Sequence, residues 1–188
     1  MTATALLIMD VQQGIVERYA SDAGYLERLA AARAAARRAG ITVIYVTIAF
    51  RPGYPEVSPA NKSFTAIAGT GRFADGDPGL RIPAVIAPAA GELTVIKRRV
   101  SAFAGSDLEV LLRSRGIGHL VLSGIATSGV VLSTLRQAAD QDYQLTVLAD
   151  GCLDADPEVH QVLLTKVFPR QAEVTTIAGW IAGLPSPA

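Results

Sequence analysis

The sequence predicts an α/β domain in which a parallel sheet carries helices on both faces. Six apolar runs of strand length alternate with segments of helical period along the 188 residues. Most of the runs are continuous rather than alternating, the pattern of strands covered on both sides. The helical segments between them carry their own start and stop signals. The order is therefore strand, helix, strand, the connectivity that pairs strands in parallel. Half of the residues are apolar, which suits one core of useful size and a single domain over residues 1–183.

The first strand candidate is 5–9, an apolar run that stops at Asp10. A helix then starts near Ser21 and Asp22, spaces Leu26, Leu29, Ala30 and Ala36 at helical intervals, and stops at Gly40. The second strand is 42–48. Residues 51–88 are rich in Pro and Gly and too long for an ordinary connection, so they are expected to pack as an excursion over the sheet edge or the pocket mouth. The third strand, 93–96, ends at Lys97. A helix capped by Ser106 or Asp107 follows, carries Leu108, Leu111 and Leu112, and ends at Gly116. The fourth strand, 119–122, reaches Ser123-Gly124 and turns sharply into a helix that buries Leu132, Leu135, Ala138 and Ala139. The fifth strand is 145–148, and Asp150 and Cys152 come after it. Asp156-Pro157 opens a helix with Val159, Val162, Leu163 and Val167 facing inward. The sixth strand, 173–175, precedes a last helix over 177–182 and a Pro-rich tail, 184–188, expected to fray.

Composition excludes several classes. Seventeen basic residues balance seventeen acidic ones, so no broad field gathers nucleic acid or anionic lipid. Arg33, Arg37 and Arg38 stand among alanines at helical spacing and read as a solvated helix face. The single cysteine allows no internal disulfide. The N-terminal run lacks the basic flank and length of a signal peptide, and no segment has the length to span a bilayer. The expectation is a cytoplasmic protein with a small-molecule partner.

In such sheets ligands bind beyond the carboxyl ends of the strands, which here present Asp10, Lys97 and Ser123 to Ser128. A carboxylate directly after Leu-Leu-Ile-Met is costly to desolvate unless it is paired or working. Asp10 serves either as a cap for residues 11–16 or as a catalytic group, and Lys97 as a snorkelling edge lysine or as its partner. An Asp–Lys pair at neighbouring strand ends can hold a proton at a controlled pKa. The stretch Gly69-Thr-Gly-Arg-Phe-Ala74 follows no strand and opens no helix, so no dinucleotide loop is read there, and no cofactor is expected.

At four places the chain resembles the isochorismatase-like hydrolases, also called the cysteine hydrolase superfamily. The pieces are Ala5-Leu-Leu-Ile-Met-Asp-Val-Gln12, Lys97-Arg-Arg-Val-Ser-Ala-Phe-Ala-Gly-Ser-Asp-Leu108, Gly124-Ile-Ala-Thr127 and Val147-Leu-Ala-Asp150, in register over roughly residues 5 to 180. The resemblance implies a Rossmann-like three-layer sandwich with a six-stranded parallel sheet of order 3-2-1-4-5-6, and a homo-oligomer, dimer or tetramer. It assigns Asp10 the role of acid/base carboxylate and Lys97 that of its partner. Ser101 and Phe103 match a segment that lines the pocket. The turn Ile125-Ala126-Thr127, with Ser128 after it, matches one that often holds a cis peptide and shapes a substrate-binding oxyanion site. The family's nucleophilic cysteine falls at Val130, whose isopropyl group cannot attack a carbonyl.

That departure removes the acyl-enzyme and with it the usual amidase chemistry. Members that hold a metal do so through an Asp and two His after the second strand. Here that region reads Thr47-Ile-Ala-Phe-Arg51, so no metal is expected. His119 and His160 fall near a strand start and in a helix and read as structural. Three functions stay open: vinyl-ether-type hydrolysis by Asp10 and Lys97 without a covalent intermediate, a binding or scaffold protein that has lost catalysis, and an amide hydrolase using Cys152.

Overall fold

The computed structural model describes residues 3–19 and 22–185. Its six strands are β1 (Ala3–Met9), β2 (Thr42–Ile48), β3 (Leu93–Lys97), β4 (Ile117–Ile125), β5 (Gln144–Leu153) and β6 (Glu173–Thr175). All pair in parallel, in the order β3-β2-β1-β4-β5-β6. The helices are α1 (Gln13–Val16), α2 (Tyr25–Arg38), α3 (Lys62–Gly69), α4 (Leu108–Ser114), α5 (Leu132–Asp140), α6 (Pro157–Val162) and α7 (Ile177–Ala182).

The unbroken apolar run of β1 feeds two cores at once, because successive side chains point to opposite faces. Ala5, Leu7 and Met9 pack with Leu108, Leu112 and Leu135 of α4 and α5, while Leu6 and Ile8 pack with Leu29 and Ala32 of α2 and Ile177 of α7. Leu120 and Leu122 of β4 join the first core, and Val121 the second. A strand that must be buried on both sides has no polar position to spare, hence the continuous run.

Several boundaries differ from the sequence reading. β5 runs on through Asp150 and Cys152, because β4–β5 pairing breaks after Leu122 and resumes with Gly124 opposite Cys152 and Ile125 opposite Leu153. Val159 and Val162 are each 38% exposed rather than inward. After α6 the chain widens into a looser π-type turn over Leu163–Val167, where Leu163 is buried as expected and Leu164 is buried beside it. α2 begins at Tyr25 after Gly24, whose N–H bonds Asp22 Oδ1 at 3.2 Å; Ser21 and residues 186–188 of the tail lie outside the described residues. The second and fourth helices end as expected in left-handed glycines, Gly40 (φ +68°) and Gly116 (φ +60°).

The excursion over 51–88 contains α3, started by Asn61, whose side chain accepts from the Phe64 N–H at 3.1 Å. Ile48, Phe50, Phe64 and Phe73 form a small third core beneath it. Arg72 ties the excursion to α1 by donating to the Gly14 carbonyl at 2.9 Å.

Candidate active site

β1 and β4 come unusually close at their carboxyl ends. A Cβ on Gly124 (φ +142°) would lie 2.1 Å from the Met9 carbonyl oxygen, so only glycine fits. Asp10 follows directly with φ +57° and donates its N–H to the Val46 carbonyl at 2.7 Å. That left-handed residue, of a type that tolerates it, swings the carboxylate across the end of β2 toward β3. There Asp10 Oδ2 meets Lys97 Nζ at 2.8 Å, and Lys97 also donates to the Arg99 carbonyl at 3.0 Å. Gln12 braces the corner: its amide donates to the Ile48 and Leu80 carbonyls, both at 3.1 Å, and accepts from the Ile48 N–H at 2.8 Å.

The pair is almost wholly enclosed, Asp10 being 6% and Lys97 2% exposed. Burial pushes the Asp10 carboxyl above the ordinary carboxylate range, and the Lys97 charge and hydrogen bond offset only part of that rise. The other oxygen, Oδ1, is buried and has no protein partner. A buried acceptor left unpaired is costly unless something else meets it.

Asp10 and Lys97 line a cavity of about 230 Å³. Ile125, Ala126, Gly129 and Val130 form one wall; Phe64, Ile67 and Phe73 of the excursion form another; Arg18 and Tyr19 stand among the remaining lining residues. Burial and the Asp154 charge hold the Tyr19 hydroxyl above its ordinary range. A larger cavity of about 450 Å³ opens at the opposite ends of the strands, between Thr4, His119 and Trp180, away from the Asp10–Lys97 pair.

The sequence candidates divide sharply. Ile125, Ala126 and Val130 border the cavity, and the Ile125–Ala126 peptide bond is cis. Thr127 is fully buried behind the wall with Oγ1 2.8 Å from His160 Nδ1, and exposed Ser128 gives its N–H to Asp154 Oδ2 at 2.6 Å. Phe103 lies outside the cavity and packs on Tyr143 with ring centroids 5.9 Å apart. The chain after Lys97 turns down onto α5, where the Ala102 N–H reaches Thr134 Oγ1 at 3.0 Å and Ser101 Oγ reaches Gln137 at 2.6 Å. The sequence reading named none of Phe64, Ile67 and Phe73, although it expected their excursion to pack over the sheet edge or the pocket mouth, where these three stand.

Cys152 is buried in β5 beside Gly124 of β4 and lines no part of this cavity; burial pushes its thiol up to about 12. His119 bonds Thr146 Oγ1 at 2.9 Å near the other ends of the strands, and burial holds both histidines below their ordinary range. Asp150 accepts the Ile177 N–H at 2.7 Å in the first turn of α7, which Thr176 caps. Among the described residues, no three His, Cys, Asp or Glu side chains converge as a metal site, and no helix is long and apolar enough to cross a membrane.

Comparison with known proteins places this architecture. The chain is 33% identical over 206 aligned positions to the ureidoacrylate amidohydrolase RutB of Methylobacterium radiotolerans, covering 95% of this chain and 76% of that protein. An isochorismatase family protein from Desulfovibrio vulgaris superposes with a TM-score of 0.85 at 27% identity, covering 96% of this chain and 97% of that one. A cysteine hydrolase from Pseudomonas syringae pv. phaseolicola superposes with a TM-score of 0.89 over 98% and 93% of the two chains, at 23% identity a likeness of fold. The isochorismatase domain model matches residues 4–179, and the chain therefore belongs to the isochorismatase family of hydrolases.

Proposed function

We propose that the protein hydrolyses a small molecule by acid–base chemistry at Asp10 and Lys97, without a covalent intermediate. The observation that carries this reading is the unpartnered Asp10 Oδ1, held in a cavity by a buried pair whose carboxyl is pushed upward. A raised carboxyl can keep its proton toward neutral pH and donate it, which is what a general acid needs.

The family's cysteine falls, on the sequence resemblance, at Val130, and Val130 faces this cavity. RutB relatives are amidohydrolases by name. A covalent amidase route through position 130 has no nucleophile here, and the buried, high-pKa Cys152 supplies none. Hydrolysis of a vinyl ether needs only an acid and water. Asp10 gives its proton to the terminal carbon, whose double-bond electrons form the new C–H bond and leave an oxocarbenium ion. Water adds to the cationic carbon and returns a proton to Asp10. The hemiketal then breaks its C–O bond as its hydroxyl proton passes to the departing oxygen, releasing an alcohol and a ketone. Lys97 keeps the carboxyl oriented throughout and stabilises it as an anion once the proton has left.

A second reading, a small-molecule binding protein without turnover, is favoured by the apolar surface that Val130 gives the wall. The deciding experiment is a panel of vinyl ethers, esters and amides run on the wild type, Asp10→Asn and Val130→Cys. Loss of a well-placed general acid lowers kcat by about 100-fold or more, so Asp10→Asn should fall by that much on vinyl ethers. Val130→Cys should gain measurable amide hydrolysis. If Asp10→Asn turns over every accepted substrate at the wild-type rate, the acid–base reading is wrong. Ligands that bind tightly and emerge unchanged would favour the second.

A further inference from the structure

We propose that His160 and Asp154 are positioning residues that clamp the cavity wall from behind and so fix Val130 relative to Asp10 and Lys97. The proposal rests on reading this cavity as the functional site.

The wall over 125–130 is not itself a strand or a regular helix beyond Ile125, the last residue of β4. Gly129 has non-helical angles (φ −100°, ψ −106°), and the segment folds back on itself, with the Gly129 and Val131 N–H groups both aimed at the Ala126 carbonyl, at 3.0 and 3.3 Å. Such a segment needs outside anchors to hold one shape. Two come from the chain that follows β5. His160 Nδ1 bonds Thr127 Oγ1 at 2.8 Å, and Asp154 Oδ2 takes the Ser128 N–H at 2.6 Å. These two bonds fall on consecutive residues, between Ala126 and Gly129 of the wall.

The anchors are themselves braced. Asp154 Oδ1 accepts the Asp156 N–H at 3.3 Å, and Asp156 caps α6 by accepting from Glu158 and Val159 at 2.9 and 3.2 Å. His160 is thus carried on a capped turn, and one carboxylate links that turn to the wall. Thr127 explains itself in the same way. It is fully buried, lines no part of the cavity, and turns its hydroxyl to His160. Residues in such a shell hold reacting groups to a fraction of an ångström, and an error of about 1 Å can cost about 100-fold in rate.

The test uses two thiols in one molecule and requires no substrate. In Val130→Cys, alkylation by iodoacetamide reports exposure of the wall, while native Cys152, buried in β5, reports global opening. Adding His160→Ala or Asp154→Ala should speed alkylation at position 130 by about tenfold, the scale of one hydrogen bond acting on a local opening. Cys152 should react at its original rate. His160→Asn, which keeps an amide near the Nδ1 position, and Asp154→Asn, which keeps an acceptor oxygen, should restore the slow rate. Unchanged alkylation at position 130 overturns the clamp. So does equal acceleration of both thiols, or failure of both asparagine variants to rescue. Because the readout compares variants that all keep Asp10 and Lys97 and needs no turnover, the clamp and the acid–base reading can fail separately.

Discussion

At the scale of single residues, the site is a contest between desolvation and charge. Asp10 sits where burial disfavours its anion, and Lys97 returns only part of that cost. The sign of the resulting pH dependence follows by linkage. The folded state keeps the Asp10 proton after the unfolded chain, with a carboxyl near 3.8, has released it. Asp10 therefore contributes its full stability below that value, and the contribution is lost as pH rises through the higher folded-state pKa. Urea unfolding of wild type and Asp10→Asn across pH 3 to 8 checks this: the wild type should lose stability relative to the variant as pH rises. A difference independent of pH would contradict the raised carboxyl. Asp10 and Lys97 were legible because a charged residue ending an apolar run is conspicuous. Their partnership was legible as one of two readings of Lys97, and the ion pair joins them across 87 positions and the whole width of β2. Phe103 misled for the opposite reason: an aromatic near a pocket motif can as well face the core.

At the scale of elements, the close approach of β1 and β4 sets the geometry. Gly124→Ala would push a methyl into the Met9 carbonyl at a backbone angle that L-residues avoid. It should cost at least about 3 kcal/mol, the upper range for overpacking, measured by denaturant unfolding. A loss under about 1 kcal/mol would mean that the strands can part freely. The excursion is the other decisive element. Its small core contains Phe64, which also lines the cavity. Phe64→Ala should cost about 3 kcal/mol locally and open residues 51–88 to limited proteolysis while the sheet stays intact. Cleavage at the wild-type rate would contradict that role. Helical content in this excursion was hidden by its prolines and glycines, although Asn61 stands at a sound cap position. The error at Val159 and Val162 lies in α6 itself, a short helix that buries none of its residues although its valines are spaced like an inward face.

At the scale of the whole molecule, the two faces of the sheet are each closed by helices, and the chain has zero formal net charge. Apolar side chains nevertheless remain exposed outside the cores, among them Val110 at 69% and Ile96 at 45%. Surface of this kind is consistent with self-association. Sedimentation velocity should find a dimer or tetramer at micromolar concentration, and a monomer throughout would refute that expectation.

The sequence by itself determined the class of fold, because continuous apolar strands alternating with capped helices admit few packings other than a parallel sheet covered on both sides. It also singled out Asp10, Lys97 and the turn around Gly124, since polar or glycine residues interrupt apolar runs there. Only the tertiary structure decided which of these meet. The roof supplied by Phe64 and Phe73, the retreat of Phe103 into the core and the His160–Thr127 contact each join segments far apart along the chain. Such contacts depend on where whole elements come to rest, and no local pattern of residues encodes that.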